Sequence, residues 1–374
     1  MNDVSLGDGL EVLIDYRGKT PAKLGSSFTE SGIPVASALL VKDGRLDLSG
    51  ARYVDDETAR RWMGVSTARG DVLLTSEAPL GRVARVPSDA PLVLGQRLFG
   101  LRGKPGILDT GYLYYALQST PVQASLRGHA TGTTVLGIRQ AALRTVRIPA
   151  PSVDDQRAIA EVLGALDDKI AANDHVIRMS DDLAGALVHR ASVDGQRLPL
   201  RDLANLHYGK ALPASQRVEG AITVFGSGGR TGIHSTSLVE RPGIVIGRKG
   251  TVGAIYWADG PHWPIDTTFY VEPHGPVSSE ILYYAMRRLR LSELNSDSAV
   301  PGLNRDEAYA QIVEIPQDSA RSMLSTRVRE LLLLMASRRS ESNAIATTRD
   351  ELLPLLMSGK VRVRDAEKRV EEVL

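Results

Sequence analysis

The period of the apolar positions changes along the chain. Short apolar runs bounded by glycine and charge, Val72-Leu73-Leu74-Thr75 and Ile244-Val245-Ile246, predict buried strands. Gly81 and Gly253 each follow a polar turn and precede a second apolar run, which predicts a hairpin at each. Residues 112–119 and 279–291 predict helices. From residue 151 the period lengthens. Ile159, Leu163, Leu166, Ile170, Asn173, Ile177, Ser180, Ala184 and Leu187 alternate at spacings of four and three, a heptad seam with polar Asn173 and Ser180 inside it. Ser152 followed by Asp155 resembles a capping box, and a helix over residues 153–190 would be about 57 Å long. A second seam carries Leu324, Val328, Leu331 and Met335, weakens over residues 337–343, and resumes with Leu352, Leu353, Leu355 and Leu356. Pro354 predicts a kink and Gly359 a stop.

The chain repeats itself. Leu6-Gly7-Asp8 followed by Tyr16-Arg17-Gly18-Lys19 returns as Leu200-Arg201-Asp202 followed by Tyr208-Gly209-Lys210. GDVLLTSEAPLGRVA (70–84) returns as PGIVIGRKGTVGAI (242–255), LYYA at 113–116 returns at 282–285, TTVLGIR (133–139) as SAVPGLN (298–304), and RIP before Ala150 as EIP ending at Pro316. Five matches in one order, with a long helix pattern after each copy, mark two copies of one plan. The predicted organisation is a mixed α+β chain: a globular domain over 1–150, a helix over 151–195, a second globular domain over 196–316, a second helix over 317–361 and a tail over 362–374. Neither helix has a partner of its own, so the two are expected to form an antiparallel, coiled-coil-like spacer pair. That pairing relates the domains by a pseudo-two-fold axis, which suits duplex DNA read at two inverted half-sites.

Composition alters this picture little. The 374 residues include no cysteine, which removes disulfides and thiolate chemistry. No apolar run reaches the length of a membrane span and the first residues lack a signal-peptide pattern; a cytoplasmic location is expected. Net charge is +1 overall, but +4 over 1–150, −4 over 151–197, −1 over 198–316 and +2 over 317–374. The first globular domain is therefore basic and the second is not.

The stretches 70–83, 131–170 and 349–363, with the junction Ile148-Pro149-Ala150-Pro151 followed by Gln156, resemble the specificity (S) subunit of type I restriction–modification systems. The second junction, Ile315-Pro316-Gln317-Asp318, lacks the later proline and glutamine. The resemblance implies two target-recognition domains alternating with two helical spacers, and double-stranded DNA as ligand. It also implies two modification (methyltransferase) subunits as partners, to which restriction subunits can add. S-adenosylmethionine, ATP and magnesium are expected on those partners, with no cofactor on this chain and no membrane association. A helical scaffold that assembles partners without reading bases is the alternative.

No phosphate-binding loop, amino-methyltransferase motif or metal-spaced histidine set is present in the sequence. The glycine-rich run 226–232 reads as a surface or DNA-facing loop, and Asp71 with Glu77 as ordinary strand and turn charges. No catalytic or metal residue is assigned. Arginine and lysine read guanine edges, asparagine and glutamine read adenine, and hydroxyls reach phosphates or bases. The DNA-contact candidates in the first domain are therefore Arg17, Lys19, Thr75, Ser76, Arg82, Gln96, Arg97, Thr131, Thr133 and Thr134. Those in the second are Tyr208, Lys210, Ser227, Arg230, Arg248, Lys249, Thr267, Ser298 and Asn304. Repeat-equivalent pairs, Lys19 with Lys210 and Ser76 with Arg248 or Lys249, rank first. Tyr114, Tyr115, Tyr283 and Tyr284 are expected in the core.

Overall fold

A computed structural model describes residues 2–42, 44–294, 302–371 and 373; the candidate Ser298 lies outside them. The chain divides into two units, Met1–Ile170 with Asn343–Leu374, and Ala171–Ser342.

In the first unit the apolar runs pair as predicted. A four-stranded antiparallel sheet has the order Leu10–Asp15, Leu98–Gly103, Val72–Thr75, Val83–Arg85. All four residues of Val72–Thr75 are buried, and Gly81, at φ +92°, turns the chain into the next strand. Helix Thr110–Gln118, capped by Asp109, lays Tyr112 through Leu117 into the core. A smaller sheet has the order Arg52–Val54, Ile33–Ala36, Val93–Leu94, its last pair parallel. Asn2–Ser5 pairs with Arg147–Ala150.

The second unit repeats these three sheets. Its large sheet has the order Ala204–Tyr208, Thr268–Pro273, Gly243–Gly247, Ile255–Ala258. Its small sheet has the order Gly229–His234, Ile222–Gly226, His262–Pro264, again with a parallel pair. Gln196–Pro199 pairs with Ile312–Ile315. The glycine-rich run 226–232 is the turn and second strand of a hairpin. Helix Ser279–Met286 ends before the predicted residue 291. Leu291 instead turns back to bury itself against Gly253, where a Cβ would stand 2.4 Å from the Leu291 carbonyl carbon.

Strand register corrects two alignments. Phe99 pairs with Asp15 and Leu74, while Phe269 pairs with Tyr208 and Ile246. Asp15 is therefore the counterpart of Tyr208, and Lys210 falls opposite Arg17 rather than Lys19. Likewise Ala150 and Ile315 hold the same ladder position, so Pro316 corresponds to Pro151, not Pro149. At the first junction, buried Gln156 accepts from Asp109 N at 2.8 Å and donates to the carbonyls of Ile107 and Pro151, both at 3.0 Å. At the second, buried Arg321 takes that place. It donates to the carbonyls of Pro316 at 2.8 Å and Pro276 at 3.5 Å and to Gln196 Oε1 at 2.8 Å, and it pairs with Asp318. The glutamine that the second junction lacks is thus replaced by arginine at the same spacing from the proline.

Each unit holds one end of two long helices, Val153–Ser192 and Asp318–Met357. Ser152 caps the first, accepting from Asp155 N at 3.1 Å. In the first unit Ile159, Leu163, Leu166 and, less deeply, Ile170 pack with Ile345, Leu352 and Leu356. In the second, Ile177, Ala184, Leu187 and Val188 pack with Leu324, Val328, Leu331 and Met335. The early part of one helix thus shares a core with the late part of the other in the first unit, and the reverse holds in the second. The break expected over residues 337–343 is absent, and the charged side chains there are partnered. Arg339 pairs with Asp259 at 3.2 Å, Glu341 pairs with Arg338, and seam residue Asn173 donates to Glu341 Oε2 at 3.2 Å. The helix also runs past Pro354, and Gly359, at φ +70°, follows its end. Residues 363–371, expected as tail, form a helix that buries Ala366 and Val370 in the first unit's core.

His262 makes the second unit sensitive to acid. The ring is buried; Nδ1 faces the Gly260 carbonyl at 2.9 Å, and Nε2 has no hydrogen-bond partner among the described residues. Burial holds the imidazole below its ordinary value of about 6.5. Stability from the neutral ring is therefore complete above that value and is lost as pH falls from it toward the folded value. The melting temperature of the second unit is expected to drop between pH 7.5 and pH 5. His262→Gln should flatten that dependence, and an unchanged slope in the variant would rule the histidine out as its source.

Candidate nucleic-acid interface

At one end of each large sheet, main-chain hydrogen bonds join three loops into a platform. In the first unit Ser76 N donates to Arg97 O at 2.9 Å and Ile138 N donates to Ser76 O at 2.9 Å, while Glu77 bridges to Gly137. In the second, Arg248 N donates to Thr267 O at 2.9 Å, Leu303 N donates to Arg248 O at 2.9 Å, and Lys249 bridges to Gly302. Ser76 therefore matches Arg248, Glu77 matches Lys249, Arg97 matches Thr267 and Ile138 matches Leu303. The bonds use only backbone groups, so the same frame carries different side chains.

Arg17, Ser76, Gln96, Arg97 and Thr131 come together around one cleft of about 440 Å³, with Glu77 and Arg139. Thr131 and Gly137 exchange two main-chain bonds, of 2.8 and 3.0 Å, that close a loop. This loop exposes Thr131, Thr133 and Thr134 with Val135 and Leu136. Arg97, at the left-handed φ of +66° that few residues other than glycine adopt, pairs with Glu77 at 3.1 Å. Lys19, Gln96 and Arg97 border a neighbouring cleft of about 400 Å³.

Several candidates in the first unit are engaged in holding the fold. Arg17 grips Asp15 with two bonds of 2.7 and 2.9 Å, donates to Ile138 O and lies 3.9 Å over Phe99. Lys19 Nζ donates to the carbonyls of Arg61 and Trp62 at the end of helix Asp56–Trp62, where a cation offsets the helix dipole. Thr75 is fully buried, its hydroxyl donating to Pro79 O and accepting from Arg82 N. Arg82 is exposed and reaches Val41 O at 3.4 Å. Asp71 and Glu77 do not cluster; Asp71 pairs with Arg102 at 2.7 Å.

In the second unit Tyr208, Arg248, Lys249 and Thr267 gather at the platform. The Tyr208 ring, 51% exposed, has Arg248 and Arg305 each 5.2 Å from its centroid. Lys210 is exposed at the end of the strand bearing Tyr208. Ser227 and Arg230 lie in the small-sheet hairpin, Arg230 paired with Asp259 at 2.6 Å. Asn304 caps helix Arg305–Ala310, accepting from Asp306 N at 2.8 Å. The cleft residues Glu77 and Arg139 and the platform residue Arg305 were not among the predicted contacts. Arg139 and Arg305 end or follow the repeated TTVLGIR and SAVPGLN segments, a signal the sequence did carry. The tyrosines are core residues: Tyr115 donates to Asp167 and Tyr284 to Asp181, at 2.7 and 2.9 Å, and burial pushes both phenols well above their ordinary range.

Among the described residues no helix is long and apolar enough to cross a membrane. Residues 4–178 match the family model described as the type I restriction modification DNA specificity domain. The chain is similar to the type I restriction enzyme MjaIX specificity subunit of Methanocaldococcus jannaschii, 35% identical over 121 residues, which are 32% of this chain and 27% of that one. It is also similar to the putative type I specificity subunit S.MpnORF638P of Mycoplasma pneumoniae, 31% identical over 153 residues, 36% of this chain and 39% of that one. The chain thus spans about a quarter to two-fifths of the length of these curated relatives. Among solved structures it resembles the S subunit of a type I restriction-modification system from M. genitalium, with a TM-score of 0.64 at 21% identity over 95% of both chains. That likeness is one of fold.

Proposed function

We propose, from the match of residues 4–178 to the type I restriction modification DNA specificity domain, that the chain is the DNA-reading subunit of a type I restriction–modification complex. Each unit reads one half-site of a bipartite target, and the chain itself performs no chemistry. Two methyltransferase subunits carry S-adenosylmethionine and modify adenine; restriction subunits, with ATP and magnesium, join them. The observation that carries this reading is the platform built twice on one main-chain pattern, each copy with polar and cationic side chains at its surface. A net charge of only +1 fits a reader whose partners supply much of the phosphate contact that dominates non-specific affinity.

Two measurements test it. Modified-base sequencing of cells with and without the chain should show loss of one bipartite methylated motif; an unchanged pattern would favour the scaffold reading. Exchanging residues 1–150 for the matching part of another such chain should change one half-site and leave the other intact. A change in both half-sites, or in neither, would refute one-unit-per-half-site reading.

A further inference from the structure

The two platforms carry side chains of opposite charge at one matched position, and this runs against the net charge of the globular segments that bear them. Over residues 1–150 the chain is net +4, over 198–316 it is −1. Yet at the platform the first unit places a carboxylate, Glu77, against Arg97 at 3.1 Å. The second places Lys249 in the position of Glu77 and Thr267 in that of Arg97. Lys249 is exposed, and its ammonium has no hydrogen-bond or ion-pair partner among the described residues. Its neighbour Arg248 is not equivalent in role. It donates to Asp266 O at 2.8 Å and lies over Tyr208 and Phe269, much as Arg17 lies over Phe99 in the first unit. An arginine over the phenylalanine is thus common to both platforms, supplied by different loops. What distinguishes them is the acid–base pair in one and, in the other, a lysine unpaired among the described residues.

We infer that the position held by Glu77 in one unit and Lys249 in the other sets the two half-sites apart. Lys249 donates to the acceptor edge of a guanine, and Glu77, oriented by Arg97, accepts from the exocyclic amino group of a cytosine or adenine. The chemistry follows from the major-groove code. Guanine presents two acceptors there, N7 and O6, which suit a donor-only ammonium; cytosine N4 and adenine N6 present the donors that a carboxylate requires. An uncompensated lysine opposite an amino group, or a carboxylate opposite O6, leaves a desolvated charge against a group of the wrong sense, so each position also rejects the other's base. This inference rests on the DNA-recognition reading and names the residue and the base class for each half-site.

The test replaces the chromosomal copy with Lys249→Met, Lys249→Arg or Glu77→Gln, and reads the methylated motif by modified-base sequencing. Lys249→Met is expected to relax one guanine position in one half-site, lowering its selectivity by at least about 5-fold, with the other half-site untouched. Lys249→Arg keeps the guanine. Glu77→Gln relaxes one position in the opposite half-site. Uniformly weaker methylation with an unchanged motif would assign Lys249 to a phosphate and overturn the inference, as would an unchanged motif at full strength. Absence of any bipartite motif in the unaltered cell would overturn the recognition reading itself, and this inference with it.

Discussion

Removing residues 343–374 is expected to unfold the first unit, although most of that unit lies before residue 171. The segment supplies Ile345, Leu352, Leu356, Met357, Ala366 and Val370 to the core that also holds Leu74, Phe99 and Leu163. Truncating one of the larger buried side chains to alanine costs about 2–5 kcal/mol, and a whole domain is stable by about 5–15 kcal/mol, so losing five of them together, with Ala366, exceeds what the unit has. The deletion also strips Arg349 from Asp167, where it sits at 2.7 Å beside the Tyr115 hydroxyl. Hydrogen exchange on a chain ending at Ser342 should show Val72–Thr75 unprotected while Gly243–Gly247 in the second unit stays slow. Slow exchange at Val72–Thr75 in the shortened chain would mean that the unit closes its core without the segment.

The second large effect is expected at the junctions. Arg321→Ala should destabilise the second unit by about 2–4 kcal/mol, because Gln196 and the carbonyl of Pro316 lose a charge-assisted donor in a buried place. Arg321→Gln should recover roughly half of that loss by restoring the bond to the proline carbonyl that Gln156 makes in the first unit. Gln156→Ala should cost the first unit a similar amount, about 2–3 kcal/mol, by stranding the Asp109 amide and two carbonyls. Urea unfolding followed separately in each unit measures all three. Equal midpoints for Arg321→Ala and Arg321→Gln would show that packing, not the shared hydrogen bond, sets the junction.

The seam from Ile159 to Leu187 was legible because burial on a helix repeats with its period. The continuity of the second helix over 337–343 was not. Arg339 and Glu341 there are met by Asp259 and Asn173, far away in sequence, and nothing local announces such partners. The repeat was legible from short apolar and glycine patterns, but its register was off by two at both ends of the recognition segments. Register is set by the hydrogen-bond ladder of Phe99 and Phe269, and similarity of letters does not count ladder positions. Among candidate contacts, Gln96, Arg97 and Thr131 share a cleft as a list of exposed polar residues would have it. Arg17, Lys19, Thr75 and Asn304 also hold loops and helix ends, each bonded to main-chain or carboxylate groups within reach. Glu77 reads from the sequence as an ordinary turn charge; its pairing emerges only once the fold brings Arg97 beside it.

The platforms are joined through amide and carbonyl groups that every residue except proline supplies in full. Substitution at Glu77, Arg97, Lys249 or Thr267 therefore removes no bond on which the frame depends. The exposed face of each unit can accumulate changes at little cost to folding. Under the DNA-reading function proposed above, a new base preference would need no compensating mutation in the core, and one backbone could serve different target sequences by exchanging a few exposed letters.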